Sequence, residues 1–139
     1  MDVRKSPLTD PVIIIACGGK STRMKLDKSL LLYSELPQRY HLLQIAASIS
    51  NRFFLSLNSE QNESVYPEKV ITDLTHFSDI GPAAGLLSVA ELIPSTHYMF
   101  IGCDYPLLKK EHLETLLKYR NIEHDSVCYS DGEHPEPLL

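Results

Sequence analysis

Residues 12–17 read VIIIAC, six apolar residues without a polar break, and Gly18-Gly19 ends them. A short run rich in β-branched side chains and lacking polar alternation marks a strand covered on both faces, as in a parallel sheet between helices. The rest of the chain supplies partners and covers. Strand patterns fall at 52–57 (RFFLSL), 69–72 (KVIT), 98–103 (YMFIGC) and 126–129, the last followed by a turn at Asp131-Gly132. Helical spacing falls at 37–50, with Tyr40, Leu43, Ala46, Ala47 and Ser50 on one face, widened by Leu42, Ile45 and Ile49. A second helix opens at Gly81-Pro82 and runs to about 93, with Leu86, Leu87, Val89, Ala90 and Leu92 as its apolar side. A third spans 110–120 on Leu113, Leu116 and Leu117. Strands alternating with helices predict an α/β fold, a mostly parallel sheet with helices on both faces.

The chain has 139 residues, enough for one domain with a real hydrophobic core, and residues 1–139 are expected to form a single domain. With 43% apolar and 22% charged residues it is not a disordered or fibrous chain. Its longest apolar run is far short of the roughly 20 residues of a membrane span, so no membrane association is expected. Residues 1–10 carry Arg4, Lys5 and Pro7 without an apolar stretch, so a flexible N-terminus rather than a signal peptide is expected there. Cys17, Cys103 and Cys128 form an odd set without C-x-x-C spacing, which predicts free thiols and a cytoplasmic setting. The six histidines are scattered and suggest no zinc site.

A net charge of −5 argues against a nucleic-acid coat. Within it, Lys20, Arg23, Lys25 and Lys28 crowd against the single acid Asp27. A basic island in an acidic chain suggests a small anionic ligand; a solvated loop with chance lysines is the plainer alternative. In open α/β sheets ligands sit beyond the carboxyl ends of the strands. There Gly18 and Gly19 let backbone N–H groups approach phosphate oxygens, and Lys28 and Arg23 add charge. A Walker A loop is excluded because Ile14 stands where its first glycine would be, and no G-x-G-x-x-G occurs. Asp104 ends an apolar strand just before Pro106, suited either to Mg²⁺ on a nucleotide or to capping the next segment. The stretch 79–86 (DIGPAAGL) reads as a helix start whose two glycines suit something flat packed against the backbone.

These residues resemble a known family. Ala16-Cys17-Gly18-Gly19-Lys20-Ser21-Thr22-Arg23-Met24-Lys25-Leu26-Asp27-Lys28 resembles the L-A-G-G-x-S-x-R-M-G-x-D-K loop of the molybdenum cofactor guanylyltransferase (MobA) family. Gly81-Pro82-Ala83-Ala84-Gly85-Leu86-Leu87-Ser88 is similar to its G-P-L-A-G-L-L-S segment, and Cys103-Asp104-Tyr105-Pro106-Leu107-Leu108 to its C-D-M-P-F-L segment. The resemblance implies a Rossmann-like nucleotidyltransferase fold. It also implies a reaction of GTP with molybdenum-molybdopterin that forms the guanine dinucleotide and releases pyrophosphate. It places the nucleotide loop on Ala16, Cys17, Gly18 and Gly19, the phosphate-binding lysine on Lys28, and nucleotide contacts on Asn58, Asp73, Gly81 and Pro82. Mg²⁺ would be held by Asp104, and Arg23, Lys28 and Asp104 would carry catalysis.

The sequence departs from the family at four points. Cys17 stands for Ala, Lys25 for Gly, and Glu136-Pro137-Leu138 for Gln-Pro-Leu, while family members continue beyond position 139. The alternatives are a cytidylyltransferase, a guanylyltransferase with another phosphate acceptor, or a truncated, non-catalytic nucleotide-binding domain. An open sheet edge is expected, covered by a second copy or a partner protein.

Overall fold

The structure, a computed structural model, describes residues 10–18, 26–78, 80–120, 123 and 126–136. The expected flexibility of 1–10 therefore falls almost entirely outside the described residues, as do Gly19 and Arg23. The elements in chain order are β1 (Val12–Ala16), α1 (Gln38–Ala47), β2 (Phe53–Leu57), β3 (Val70–Thr72), α2 (Ala83–Leu92), β4 (Tyr98–Gly102), α3 (Lys110–Tyr119), β5 (Tyr129–Ser130) and β6 (Pro135–Glu136). Short 3-10 turns at Lys28–Leu30, Pro67–Lys69 and Thr75–Phe77 fill the connections.

Four strands form one parallel sheet in the order β3-β2-β1-β4. The chain steps outward from β1 to β2 and β3, then returns across β1 to β4. Right-handed crossovers in opposite directions place their helices on opposite faces. Accordingly α1 and α3 cover one face, with Leu42, Leu43, Leu113 and Leu116 packed on Ile13, Ile15, Leu55 and Ile101. α2 covers the other, with Val89 on Val12, Ile14 and Ile71. The VIIIA strand is buried from both sides, which is why it shows no polar alternation. This is a Rossmann-like α/β fold.

Three expectations need correction. The strand expected at 126–129 is reduced to Tyr129–Ser130, which pairs antiparallel with β6 as a hairpin apart from the main sheet. In α1 the buried stripe is Arg39, Leu42, Leu43 and Ala46, with Gln38 beside it, while Ala47 is exposed. In α2 the buried side is Ala84, Ser88 and Val89; Leu87, Ala90 and Leu92 face outward. α2 thus lays its small residues on the sheet. A Cβ on Gly85 would lie 2.4 Å from Ser56 Oγ, so the flat object packed against this glycine is the sheet itself. Gly81 has nothing within 4 Å of such a Cβ; its φ of +68° explains the residue instead.

Candidate functional site

β1 lies where the direction of winding reverses, and the crevice beyond its carboxyl end is where this fold class binds ligands. Here the crevice is a cleft of about 820 Å³. Its floor is a row of small residues, Ser56, Ala16 and Gly102, placed side by side by the register of β2, β1 and β4. Ile14, Phe100 and Leu86 form an apolar wall. Asn58 and Asp73 stand at the ends of β2 and β3, Asp104 follows β4, and Gly81 and Pro82 lead into α2. Seven sequence-predicted positions, Ala16, Gly18, Asn58, Asp73, Gly81, Pro82 and Asp104, therefore line one cleft.

The others behave differently. Cys17 turns its thiol into the core beneath α1, where burial pushes the thiol up and leaves it inert, so only its backbone faces the site region. The Gly18 N–H, expected to meet phosphate, donates to Ser56 O at 3.1 Å, beside the Cys17 N–H at 3.0 Å. Gly18 thus supplies an uncovered stretch of floor rather than a donor. Lys28 is exposed at the start of its 3-10 turn and is not among the lining residues. Burial, then Asp104 and Asp27, hold the Cys103 thiol up at about 11, against smaller lowering by a backbone hydrogen bond and Lys28.

The described lining holds the carboxylates of Glu60, Asp73 and Asp104 and no Lys, Arg or His. Asp104 is exposed at the mouth, whereas Asp73 is half-buried with its N–H bonded to Leu57 O at 3.0 Å. Asp73 Oδ1 is buried with no hydrogen-bond partner, and desolvation raises this carboxyl above its ordinary range. That oxygen is enclosed against α2, 3.5 Å from where a Cβ on Gly85 would lie. The three carboxylates are hard oxygen donors of the kind Mg²⁺ takes, one or two at a time, alongside phosphate.

Sequence reasoning missed the groups behind the lining. Gln61 bonds Asn58 N, Cys17 O and Asp27 Oδ2. Arg39, fully buried, pairs with Asp27 and Glu63. No periodicity marks Gln61; for Arg39, its place on the stripe of Leu42, Leu43 and Ala46 was the available signal. Among the described residues no helix is long and apolar enough to cross a membrane.

Known proteins resemble the chain along nearly its whole length. It is 29% identical over 129 residues to a probable molybdenum cofactor guanylyltransferase of Bacillus mycoides, covering 91% of this chain and 64% of that protein. Its counterpart in Flavobacterium johnsoniae is 29% identical over 125 residues, covering 90% of this chain and 64% of that protein. A molybdenum cofactor biosynthesis bifunctional protein of Synechocystis is 27% identical over 139 residues, 99% of this chain and 39% of that protein. The chain thus spans less than two thirds of the length of these relatives. The family described as the MobA-like NTP transferase domain matches residues 13–139, a span that contains every position lining the cleft, and the chain belongs to that family.

Proposed function

We propose that this domain transfers GMP from GTP to molybdenum-molybdopterin, forming the guanine dinucleotide cofactor and releasing pyrophosphate. One observation carries the reading: family-matched residues from five separate segments converge on one cleft at the switch point of the sheet. The names of the relatives support the choice of nucleotide and acceptor.

In this reading the base lies against the apolar wall of Leu86 and Phe100, over the small-residue floor. Guanine presents two adjacent N–H donors, and a carboxylate is an acceptor-only group that takes two at once. Asp73, which lines the cleft, is suited to that edge. Asn58 holds the strand end beside it through an Asx turn, its Oδ1 accepting from Glu60 N at 3.0 Å and Gln61 N at 3.1 Å. Asp104, exposed at the mouth, would hold Mg²⁺, which when bound would neutralise triphosphate charge; among the described residues no group of three or more ligand-type side chains gathers there. Lys28, on the 3-10 turn that Asp27 caps, and Arg23, read from sequence alone, would add positive charge for the phosphates. A terminal phosphate oxygen of the acceptor then attacks the α-phosphorus in line, and pyrophosphate leaves. The chain's task is positioning and charge neutralisation, without a covalent side-chain intermediate. The free cysteines fit a reducing, cytoplasmic compartment, and the whole chain is taken as one domain.

A ligand that binds only the folded state raises its melting temperature. GTP with Mg²⁺ should do so more than CTP or ATP at equal concentration. Equal shifts with all three would overturn the base assignment, and a larger shift with CTP would move the protein to cytidylyl transfer.

A further inference from the structure

The side-chain amide of Gln61 makes three hydrogen bonds, using both of its N–H donors. Oε1 accepts from Asn58 N at 3.0 Å, and Nε2 donates to Cys17 O at 2.9 Å and to Asp27 Oδ2 at 3.0 Å. The three partners belong to different corners of the site. Asn58 ends β2, Cys17 follows β1, and Asp27 starts the 3-10 turn that carries Lys28. Cys17 precedes the basic island and Asp27 lies within it, and one amide touches both.

The chemistry admits little choice of side chain. A carbonyl and a carboxylate are both acceptors, so the group between them needs two hydrogens, while the backbone N–H of Asn58 needs an acceptor. A primary amide supplies both. Its orientation is fixed by that pattern. Asp27 is itself held from behind: it accepts from Ser29 N at 3.0 Å and pairs with the buried Arg39. Arg39 is anchored in turn by Glu63 at 3.2 Å and by Asn62 O at 3.1 Å.

We propose that Gln61 is a positioning residue of the nucleotide site: it locks the end of β1 to the Asp27 turn and so fixes the segment that carries Lys28. The inference rests on the reading of that cleft as a nucleotide triphosphate site. It makes Lys28 the group through which Gln61 acts.

Isothermal titration calorimetry with GTP and Mg²⁺ tests this on the full chain and on Gln61→Met, Gln61→Glu, Lys28→Ala and the Gln61→Met/Lys28→Ala double variant. Met keeps the length of the side chain and removes its hydrogen bonds; affinity should fall about tenfold, or ~1.4 kcal/mol. In the Lys28→Ala background the same change should cost almost nothing, because the residue it positions is gone. Glu keeps the acceptor for Asn58 but turns a second oxygen toward Cys17 O and Asp27. The charged groups around it are Asp27, Arg39 from α1, Glu63 on its own segment and Lys28. Gln61→Glu should therefore bind worse than Gln61→Met at neutral pH. It should gain on Gln61→Met as pH falls to about 5, where a carboxylic acid regains one donor. Additive losses in the double variant, or parallel pH profiles for Met and Glu, would overturn the positioning role while leaving the nucleotide site intact. Failure of the unaltered protein to bind GTP would overturn both readings at once.

Discussion

Asp73 carries the clearest conflict between stability and ligand binding. Its Oδ1 is buried without a partner, and desolvation holds its carboxyl above the ordinary range. A folded-state pKa above the unfolded one means the folded chain binds the proton more tightly. The resulting penalty is absent below the ordinary carboxylate range and complete once pH rises past the folded value. Asp73→Asn should raise stability in urea at neutral pH by up to about 1 kcal/mol, and the two proteins should converge in acid. The same variant should lose at least about tenfold in GTP affinity, because its amide no longer accepts two donors. A variant neither more stable nor weaker in binding would remove Asp73 from the base site. Asp73 and Asp104 were legible in the sequence because both follow apolar strand runs directly. Gly18 was misjudged because which carbonyl takes an N–H depends on the neighbouring strand: Ser56 O, donated by β2, is invisible from residues 12–19.

At the level of elements, helical period located α1, α2 and α3 to within a few residues but misplaced the buried face of two of them. The reasons are physical. Arg39 is buried because two acids and a carbonyl surround its guanidinium, and those partners lie 12 to 24 residues away. Ser88 is buried because its hydroxyl accepts from Leu74 N at 2.8 Å, tying α2 to the exit of β3. Around Arg39, burial works against the charge of Glu63. The N–H groups of Tyr66 and Val65, the Tyr40 hydroxyl and the guanidinium outweigh it and hold the carboxyl below its usual range. This stabilisation is present above the unfolded value and lost as pH falls through the lower folded one. Glu63→Gln should cost about 2 kcal/mol at neutral pH, the scale of hydrogen bonds to a charged group, and flatten the acid limb of the stability curve. Equal acid limbs in urea titrations would show that Glu63 is not ionised in its buried place.

The β5–β6 hairpin is fastened by two tyrosines. Tyr129 donates to His112 O on α3, and Tyr105 donates to Glu136 Oε2, each at 2.8 Å. Glu136 is a departure from the family motif, and here it accepts from Tyr105. Burial, followed by this carboxylate, pushes the Tyr105 phenol up to about 12 from an ordinary 10.0. The bond's stabilisation is complete below the unfolded value and disappears as pH rises through the folded one. Tyr105→Phe should cost about 1 kcal/mol in urea at neutral pH. A difference from the unaltered protein that persists undiminished in strong alkali would assign the loss to packing instead of the hydrogen bond.

At the scale of the whole molecule, sheet order follows from the connections, and the connections were readable; an open edge was expected as well, but its place at β4 was not. The strand expected after α3 pairs with β6, so among the described residues β4 bonds only to β1 and its other edge is open. An open edge offers N–H and C=O groups to another chain. Five residues after β4, Leu107 is 84% exposed, a large apolar side chain turned to solvent. Both features invite a second copy of the 139-residue chain, with backbone pairing along β4 and Leu107 covered in the contact. Burying a leucine contributes about 1.5–3 kcal/mol, so Leu107→Lys should weaken self-association at least about tenfold. Sedimentation velocity over a range of concentrations reads this directly. A chain that stays monomeric at every concentration would show that the β4 edge needs no cover. Association unchanged by Leu107→Lys would move the contact to another face. The substitution lies outside the core clusters on both faces of the sheet, so a single unfolding transition should survive it. A second transition would instead divide the chain into units that fold apart.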